Sequence, residues 1–357
     1  MPDVLLFGAT GYTGKLTAQA LNRRGISFAI AGRNRSKLDS LAARTGHPEI
    51  RMAEAGDTAG LVRALDGVKV LITCVGPFVD MGDTAVDAAL ATGTHYIDST
   101  GEGLFIERLI ERDGDARAKG IAMAPAMGFD EVPGDVAADL ACERLENVDL
   151  DITYAVPRTP SLGTLRSALG ILVSEGPWIE HGKPKKIRAG QETRWAPMPP
   201  PLGPRRAASF PLALGHLAPR HLDLETLRLY VTTGTVEGSA MRFGLPILRK
   251  ILQSPLKDLA EKAIVRGPEG PNEAQREASR WTILAEARSG TEWRNVTLQG
   301  TDFYGLTAEL LATAAGRMTT DGYDVTGVVA PVQAVGREVL LDELTKAGVS
   351  VETYAPV

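Results

Sequence analysis

Three glycines at positions 8, 11 and 14, in Phe7-Gly8-Ala9-Thr10-Gly11-Tyr12-Thr13-Gly14, stand between the apolar run Val4–Phe7 and the amphipathic stretch Tyr12–Arg24. No other feature constrains the chain as much. Gly8 permits a tight turn out of a strand, and Gly11 lets backbone amides approach an anion. Gly14 lets the following helix pack closely on the strand, and the free amides at the helix start favour a pyrophosphate. The spacing is G-x-x-G-x-x-G rather than G-x-G-x-x-G, so its weight comes from context. Short apolar runs recur at Phe28–Ala31, Ile50–Ala53, Val68–Cys74, His95–Ile97 and Ile121–Ala124. Runs this short and this continuous suit strands buried on both faces of a parallel sheet. Between them lie the helical stretches Arg35–Thr45, Thr58–Leu65, Asp83–Thr92 and Leu104–Lys119. Gly25, Gly46, Gly67, Gly93 and Gly120 follow the successive helices as C-terminal stops.

This alternation predicts an α/β chain that opens with a Rossmann doubly wound parallel sheet. A length of 357 residues leaves room for a second domain. After Pro125 the texture changes: a helix over Val132–Leu145 precedes candidate strands at Leu150–Val156, Thr226–Thr232, Ser279–Ala287 and Glu292–Gln299. The last two flank Arg288-Ser289-Gly290-Thr291, which reads as a hairpin turn. A second α+β domain with a largely antiparallel sheet is expected. The proline-rich stretch Ala196–Pro204 reads as a loop, and Gly267–Pro271 as a second break. A helix over Pro331–Ala347 and a strand over Val349–Tyr354 close the chain. The expected division is 1–130 for the dinucleotide domain, 131–315 for the substrate and dimerisation domain, and 316–357 packing back on one of the two.

Hydrophobic residues make up 44% and charged residues 23%, which excludes disordered, collagenous and coiled-coil chains. Cys74 and Cys142 are the only cysteines, so a disulfide scaffold and a four-thiolate zinc site are excluded. His47, His95, His181, His216 and His221 show no metal-ligand spacing, and no metal is expected. A net charge of −5 argues against nucleic acid as a partner. No run of about 18 apolar residues predicts a membrane span. The N-terminus runs straight into the first strand, and the expected location is cytoplasmic.

The strand ends carry the candidate site. The second ends in Gly32-Arg33-Asn34-Arg35, with Lys37 close behind. An acid near this position would take the ribose 2′-hydroxyl of NAD, whereas a guanidinium there forks onto a 2′-phosphate. NADP(H) is therefore the expected cofactor, held by residues 8–14 together with Arg33, Asn34, Arg35 and Lys37. Asp57, after the third strand, has two roles open to it: touching the adenine amine, or capping the next helix. The fourth strand ends in Cys74-Val75-Gly76-Pro77, a close-approach turn beside the cofactor, in which Cys74 reads as a packed residue rather than a nucleophile. The fifth leads through Tyr96, Asp98, Ser99 and Thr100, candidates for orienting substrate or relaying a proton; helix capping by Ser99 or Thr100 is the competing reading. Asp130, in Gly128-Phe129-Asp130-Glu131-Val132-Pro133-Gly134-Asp135, either faces the cleft or caps a helix. No Gly-x-Ser-x-Gly elbow supports hydrolase chemistry.

Together, Gly8–Gly14, Ala31-Gly32-Arg33, Cys74–Pro77, Tyr96–Glu102 and Gly128–Asp135 resemble the saccharopine dehydrogenase-like reductases, and within them the trans-acting enoyl reductases of bacterial lipid biosynthesis. Ser161-Leu162-Gly163-Thr164-Leu165-Arg166-Ser167 is similar to that family's Gly-Thr-x-x-Ser segment, with Leu162 where a further glycine is common; Gly327–Pro331 also fits. The resemblance implies an NADP-binding domain, an α/β substrate domain and a homodimer. It implies reduction of a C=C (enoyl) bond in a lipid or polyketide-type intermediate. The alternatives are a saccharopine- or opine-type dehydrogenase acting on a C=N bond, and a dinucleotide-binding protein without turnover. Saccharopine carries three carboxylates and wants converging cations, while Arg158, Arg166 and Arg194 are scattered. Residues 239–263 alternate apolar and basic side chains, as in Met241-Arg242-Phe243-Gly244-Leu245. Such a stretch suits a lid on a lipid-like substrate, a core helix or a peripheral membrane contact.

Overall fold

A computed structural model describes residues 1–156, 170–171, 174–234 and 270–355. The segment Ser161–Ser167, the stretch 239–263, and Arg158 and Arg166 lie outside the described residues. The chain forms two compact units. The first comprises Met1–Gly101, Phe105–Val132 and Phe303–Glu343; the second comprises Glu102–Leu104 and the described parts of Pro133–Asp302 and Leu344–Val357.

In the first unit, seven parallel strands lie in the order β15-β6-β5-β4-β1-β2-β3. They are β1 (Val4–Phe7), β2 (Phe28–Gly32), β3 (Glu49–Met52), β4 (Val70–Thr73), β5 (His95–Asp98), β6 (Ala122–Ala124) and β15 (Gly327–Val328). The central strand β1 is buried at every position, as a strand covered by helices on both faces must be. The strand order reverses between β1 and β4, which puts the crevice of a doubly wound sheet at their carboxyl ends. The helices between strands are α1 (Tyr12–Arg23), α2 (Arg35–Ala42), α3 (Thr58–Ala64), α4 (Phe78–Thr92), α5 (Gly103–Glu111) and α6 (Asp113–Ala118), and α7 (Val132–Cys142) follows β6. The five glycines read as helix stops all have positive φ, from 65° to 78°.

The differences from the sequence reading have local causes. Helix α4 starts at Phe78 rather than Asp83, because Pro77, at φ −65°, sets its entry directly after β4. The stretch read as Leu104–Lys119 divides into α5 and α6. The stretch read as Pro331–Ala347 divides into Pro331–Val335 and Arg337–Lys346 at Gly336, whose φ of +97° no helix can hold. The helix Phe303–Met318 belongs to the first unit, not to a second domain ending at 315. It packs on α1, with the Tyr12 and Tyr304 rings edge to face at 5.0 Å, and Leu306, Leu310, Leu311 and Ala314 are among its buried residues. Glu309 on this helix receives hydrogen bonds from Arg23 and from Arg24, the latter at 2.8 Å. The terminal segment divides, with residues through Glu343 joining the first unit and the rest the second.

The second unit is a mixed nine-stranded sheet. Its path is β10 (Thr193–Ala196), β11 (Arg205–Ser209), β12 (Leu224–Thr232), β7 (Val148–Ala155), β13 (Arg280–Ser289), β14 (Glu292–Thr301) and β16 (Ser350–Tyr354). β8 (Glu175–Glu180) pairs with β12 and with β9 (Lys183–Arg188). Only β12 and β7 run parallel among the described pairs, so the largely antiparallel expectation describes it. The β13–β14 hairpin closes with Ser289 opposite Glu292. Tyr154, on one face of β7, lies against Gly134 of α7. The opposite face carries an ion-pair cluster in which Arg194 bonds both Asp151 and, at 2.6 Å, Glu286. Among the described residues no helix is long and apolar enough to cross a membrane.

Candidate functional site

The end of β1 and the start of α1 are shaped by two tight glycines and one open one. Gly8 has φ +81°, and a Cβ there would sit 2.8 Å from Val75 Cγ2 and 3.0 Å from the Cys74 carbonyl carbon. The amides of Gly8 and Ala9 donate to the Ala31 carbonyl at 3.1 and 3.4 Å, tying the turn to β2. A Cβ on Gly14 would meet the Gly8 carbonyl oxygen at 2.3 Å, so the helix can lie this close to the turn only with glycine there. Gly11 is exposed and extended, with nothing nearer to a Cβ than 3.4 Å. It is the N-cap of α1, and no side chain caps that end. A twelve-residue helix therefore presents an uncapped amino end at the crevice, which is the arrangement a pyrophosphate requires. Ala9 is fully buried and can offer only its backbone. Thr10, Tyr12 and Thr13 are half-buried around the open turn.

Beneath the turn lies the end of β4. The Cys74 amide donates to Phe7 at 2.9 Å. Burial pushes the Cys74 thiol up to about 12, against the opposing pull of its hydrogen bonds with Ser99 and Thr17. A thiol held this way packs and does not attack. Val75 presses on Gly8, and Gly76 is exposed ahead of Pro77. Cys74 and Val75 form the floor of the glycine turn.

At the end of β2, Arg33 is exposed and meets no carboxylate among the described residues, and the same holds for Lys37. Their neighbours are engaged. The Asn34 side chain accepts from the Lys37 amide at 3.0 Å as the cap of α2, and Arg35 pairs with Asp39 one turn on at 2.9 Å. Asp57 shows the capping role: its Oδ1 accepts from the Gly60 amide at 2.8 Å. Of the polar side chains assigned to this side of the cofactor, Arg33 and Lys37 are the uncommitted cations.

The four candidates at the end of β5 divide. Tyr96 and Asp98 are fully buried, and Tyr96 Oη donates to Asp98 Oδ2 at 2.7 Å. Asp98 Oδ1 accepts from the amides of Thr100 and Ala126, each at 2.8 Å. Burial, and then the adjacent Asp98 carboxylate, push the Tyr96 hydroxyl well above the usual phenol range. Both side chains are thus engaged within the fold, where they clamp the ends of β5 and β6. Thr100 is also buried, and Ser99, half-buried, is bonded to Cys74.

The residue that gains most from the structure is Asp130. It is exposed, with its carboxylate lying 3.2 Å from where a Gly101 Cβ would be. The protein around it nevertheless pushes its carboxyl up to about 6. The turn that presents it is fixed by Thr307, which accepts from the Phe129 amide at 3.0 Å and donates to the Phe303 carbonyl at 2.8 Å. The motif around Asp130 was visible in the sequence; the role of Thr307, 178 residues away, was not.

Residues 4–122 match the model of the saccharopine dehydrogenase NADP binding domain. A trans-acting enoyl reductase of Mycobacterium leprae is 37% identical over 142 residues, which is 38% of this chain and 34% of that protein. The match thus spans about a third of that relative's length. A probable mitochondrial saccharopine dehydrogenase-like oxidoreductase of Arabidopsis thaliana is 27% identical over 332 residues, 84% of this chain and 65% of that protein. Among solved structures, the saccharopine dehydrogenase (L-Glu forming) of Saccharomyces cerevisiae aligns over 100% of both chains with a TM-score of 0.63 and 14% identity, a likeness of fold.

Proposed function

We propose that this chain, whose residues 4–122 carry a saccharopine dehydrogenase NADP binding domain, is an NADP(H)-dependent oxidoreductase that reduces an enoyl C=C bond in a lipid or polyketide-type intermediate. The observation that carries the cofactor half is the pairing of an uncapped α1 with an uncommitted Arg33 at the end of β2. The residues fit the group. Amides of the Gly8–Gly14 turn would hold the pyrophosphate, Arg33 would take the 2′-phosphate with Lys37 adding charge, and Cys74 and Val75 would support the turn from below. The reduced nicotinamide, when bound, supplies a hydride.

The chain's own work is then to supply a proton and fix the crevice. Reduction of an enoyl group leaves an enolate whose α-carbon must be protonated. Asp130 is the group we assign to this step, because the turn fixed by Thr307 presents it and its carboxyl is pushed upward, to about 6. Tyr96 and Asp98 position the adjoining strand ends. The name of the mycobacterial relative supports the C=C reading. The longer match to the Arabidopsis relative supports the second reading, reduction of a C=N bond.

The test is a fluorescence titration with NADPH and NADH on the protein and on Arg33→Asp. A lost guanidinium–phosphate contact is worth about 1.5–3 kcal/mol, so NADPH affinity falls roughly 10- to 100-fold in the variant while NADH affinity holds. Equal losses for both nucleotides sink the 2′-phosphate assignment. Enoyl and imine acceptors then separate the two reactions, and binding without oxidation of NADPH by either removes the enzymatic reading.

A further inference from the structure

The second unit contains a cavity of about 530 Å³ at one end of its sheet, within the size range of small-molecule sites. It forms where β7 and β12 end, where β13 begins and where β14 meets β16, with Pro201 and Leu202 of the proline-rich loop on its wall. Its charge is one-sided. Arg205 and Arg280 line it, and among the described residues no carboxylate does. Neither guanidinium meets an acid among the described residues; Arg205 reaches only the carbonyl of its neighbour Pro204, at 3.5 Å. This contrasts with two other sheet cations of the same unit: Arg194 bonds two carboxylates, and Arg228 approaches Asp151 at 3.6 Å.

A second feature of the cavity is independent of its charge. The Thr233 hydroxyl, in its lining, is screened from solvent yet has no hydrogen-bond partner among the described residues. A buried polar atom left without a partner destabilises the fold unless something satisfies it. The Thr233 amide is already used, donating to the Arg206 carbonyl at 2.8 Å, so the backbone is fixed and the hydroxyl is left over. Thr232, Thr301 and Ser350 add further hydroxyls. The floor is rigid: Trp281 is buried and its indole nitrogen donates to the Thr301 carbonyl at 3.1 Å.

We propose that this cavity binds the oxyanion of a small molecule, a carboxylate or a phosphate monoester, between Arg205 and Arg280 with a hydrogen bond from Thr233. Two unopposed guanidiniums match the planar acceptor geometry of either anion, and a hydroxyl donor completes its coordination. The proposal does not rest on the redox reading, since every group it uses lies in the second unit.

Isothermal titration calorimetry of the full chain with inorganic phosphate and with glutarate tests it. The expected result is saturable 1:1 binding of at least one anion. Either Arg205→Gln or Arg280→Gln should weaken it about tenfold or more, and Arg33→Gln should leave it unchanged. A preference for phosphate marks a phosphate ester as the natural ligand, and a preference for glutarate marks a carboxylate. Thr233→Val is the second variant: it should weaken the same anion without lowering Tm, because the hydroxyl it removes bonds nothing in the protein. Binding of neither anion, or binding unchanged in all three cavity variants, overturns the proposal. So does binding lost with Arg33→Gln and retained in the cavity variants, which would locate the anion at the cofactor's 2′-phosphate position. That last outcome leaves the NADP(H) reading standing.

Discussion

Alanine at Gly14 and alanine at Gly11 are the same chemical change three residues apart, and the structure gives them opposite consequences. At Gly14 the added methyl would sit 2.3 Å from the Gly8 oxygen and 2.8 Å from Ala9 Cα. Both are backbone atoms, so relief requires α1 to lift from the turn. Overpacking of this kind costs about 1–3 kcal/mol. At about 2–4 °C per kcal/mol for a unit of this size, Tm falls by roughly 2–12 °C. At Gly11 the backbone is already extended and the nearest heavy atom is 3.4 Å from the methyl, so the fold accepts it within about 0.5 kcal/mol. The methyl instead occupies the open face of the turn where the pyrophosphate must come. Gly11→Ala should therefore melt with the parent protein and bind NADPH about tenfold or more weakly, while Gly14→Ala loses both stability and affinity. Differential scanning fluorimetry and an NADPH fluorescence titration on each variant measure the two quantities. Full NADPH affinity in Gly11→Ala refutes the close approach, and an unchanged Tm in Gly14→Ala refutes the packing argument.

Other expectations concern protons. If Asp130 delivers the proton, turnover falls tenfold per pH unit above about 6, and Asp130→Asn removes that limb while lowering kcat by about 100-fold or more, seen in steady-state pH profiles. His221 in the second unit donates to or accepts from the fully buried Asp135 at 2.7 Å. Burial alone would lower its pKa, but the Asp135 carboxylate, its hydrogen bond and Asp139 outweigh this and hold it above the usual value. A raised folded pKa gives stability that is fully present below the unfolded value, about 6.5, and is lost as pH rises through the folded value. His221→Ala should thus cost about 1–3 kcal/mol at pH 5.5 and less at pH 8.5 in thermal melts; a gap that widens with pH contradicts the pairing.

The first unit was legible because its physics is local. A strand buried on both faces must be apolar throughout, so Val4–Phe7 announces itself, and the run and the strand coincide residue for residue. A helix that stops in the left-handed region asks for glycine, and Gly93 marks the end of α4. The start of α4 was less legible, since Phe78 and Val79 are as apolar as the strand before them. What a run of letters does not convey is direction. Tyr96, Asp98, Ser99 and Thr100 read as one polar cluster, but strand residues two apart share a face. Tyr96 and Asp98 therefore meet each other in the interior.

The second unit resisted reading for the converse reason. Strand β9 is Lys-Pro-Lys-Lys-Ile-Arg, with Ile187 as its one buried residue, because among the described residues it pairs only with β8 and must discourage further pairing. No apolar run marks it, and the turn that makes the hairpin is hidden in His181 and Gly182, both at positive φ. The same non-locality decides how charge should be weighed. Judged along the chain, the arginines of this unit are scattered, and that scatter argued against an anionic substrate. Arg205 opens β11 and Arg280 opens β13, strands separated in the sheet by β12 and β7, and yet both guanidiniums line one cavity. A sheet gathers the ends of strands that the sequence keeps apart, so a missing cation cluster in the sequence carries no weight against an anion site. The scatter of Arg158, Arg166 and Arg194 along the chain therefore leaves the substrate's charge open, whatever the cavity binds.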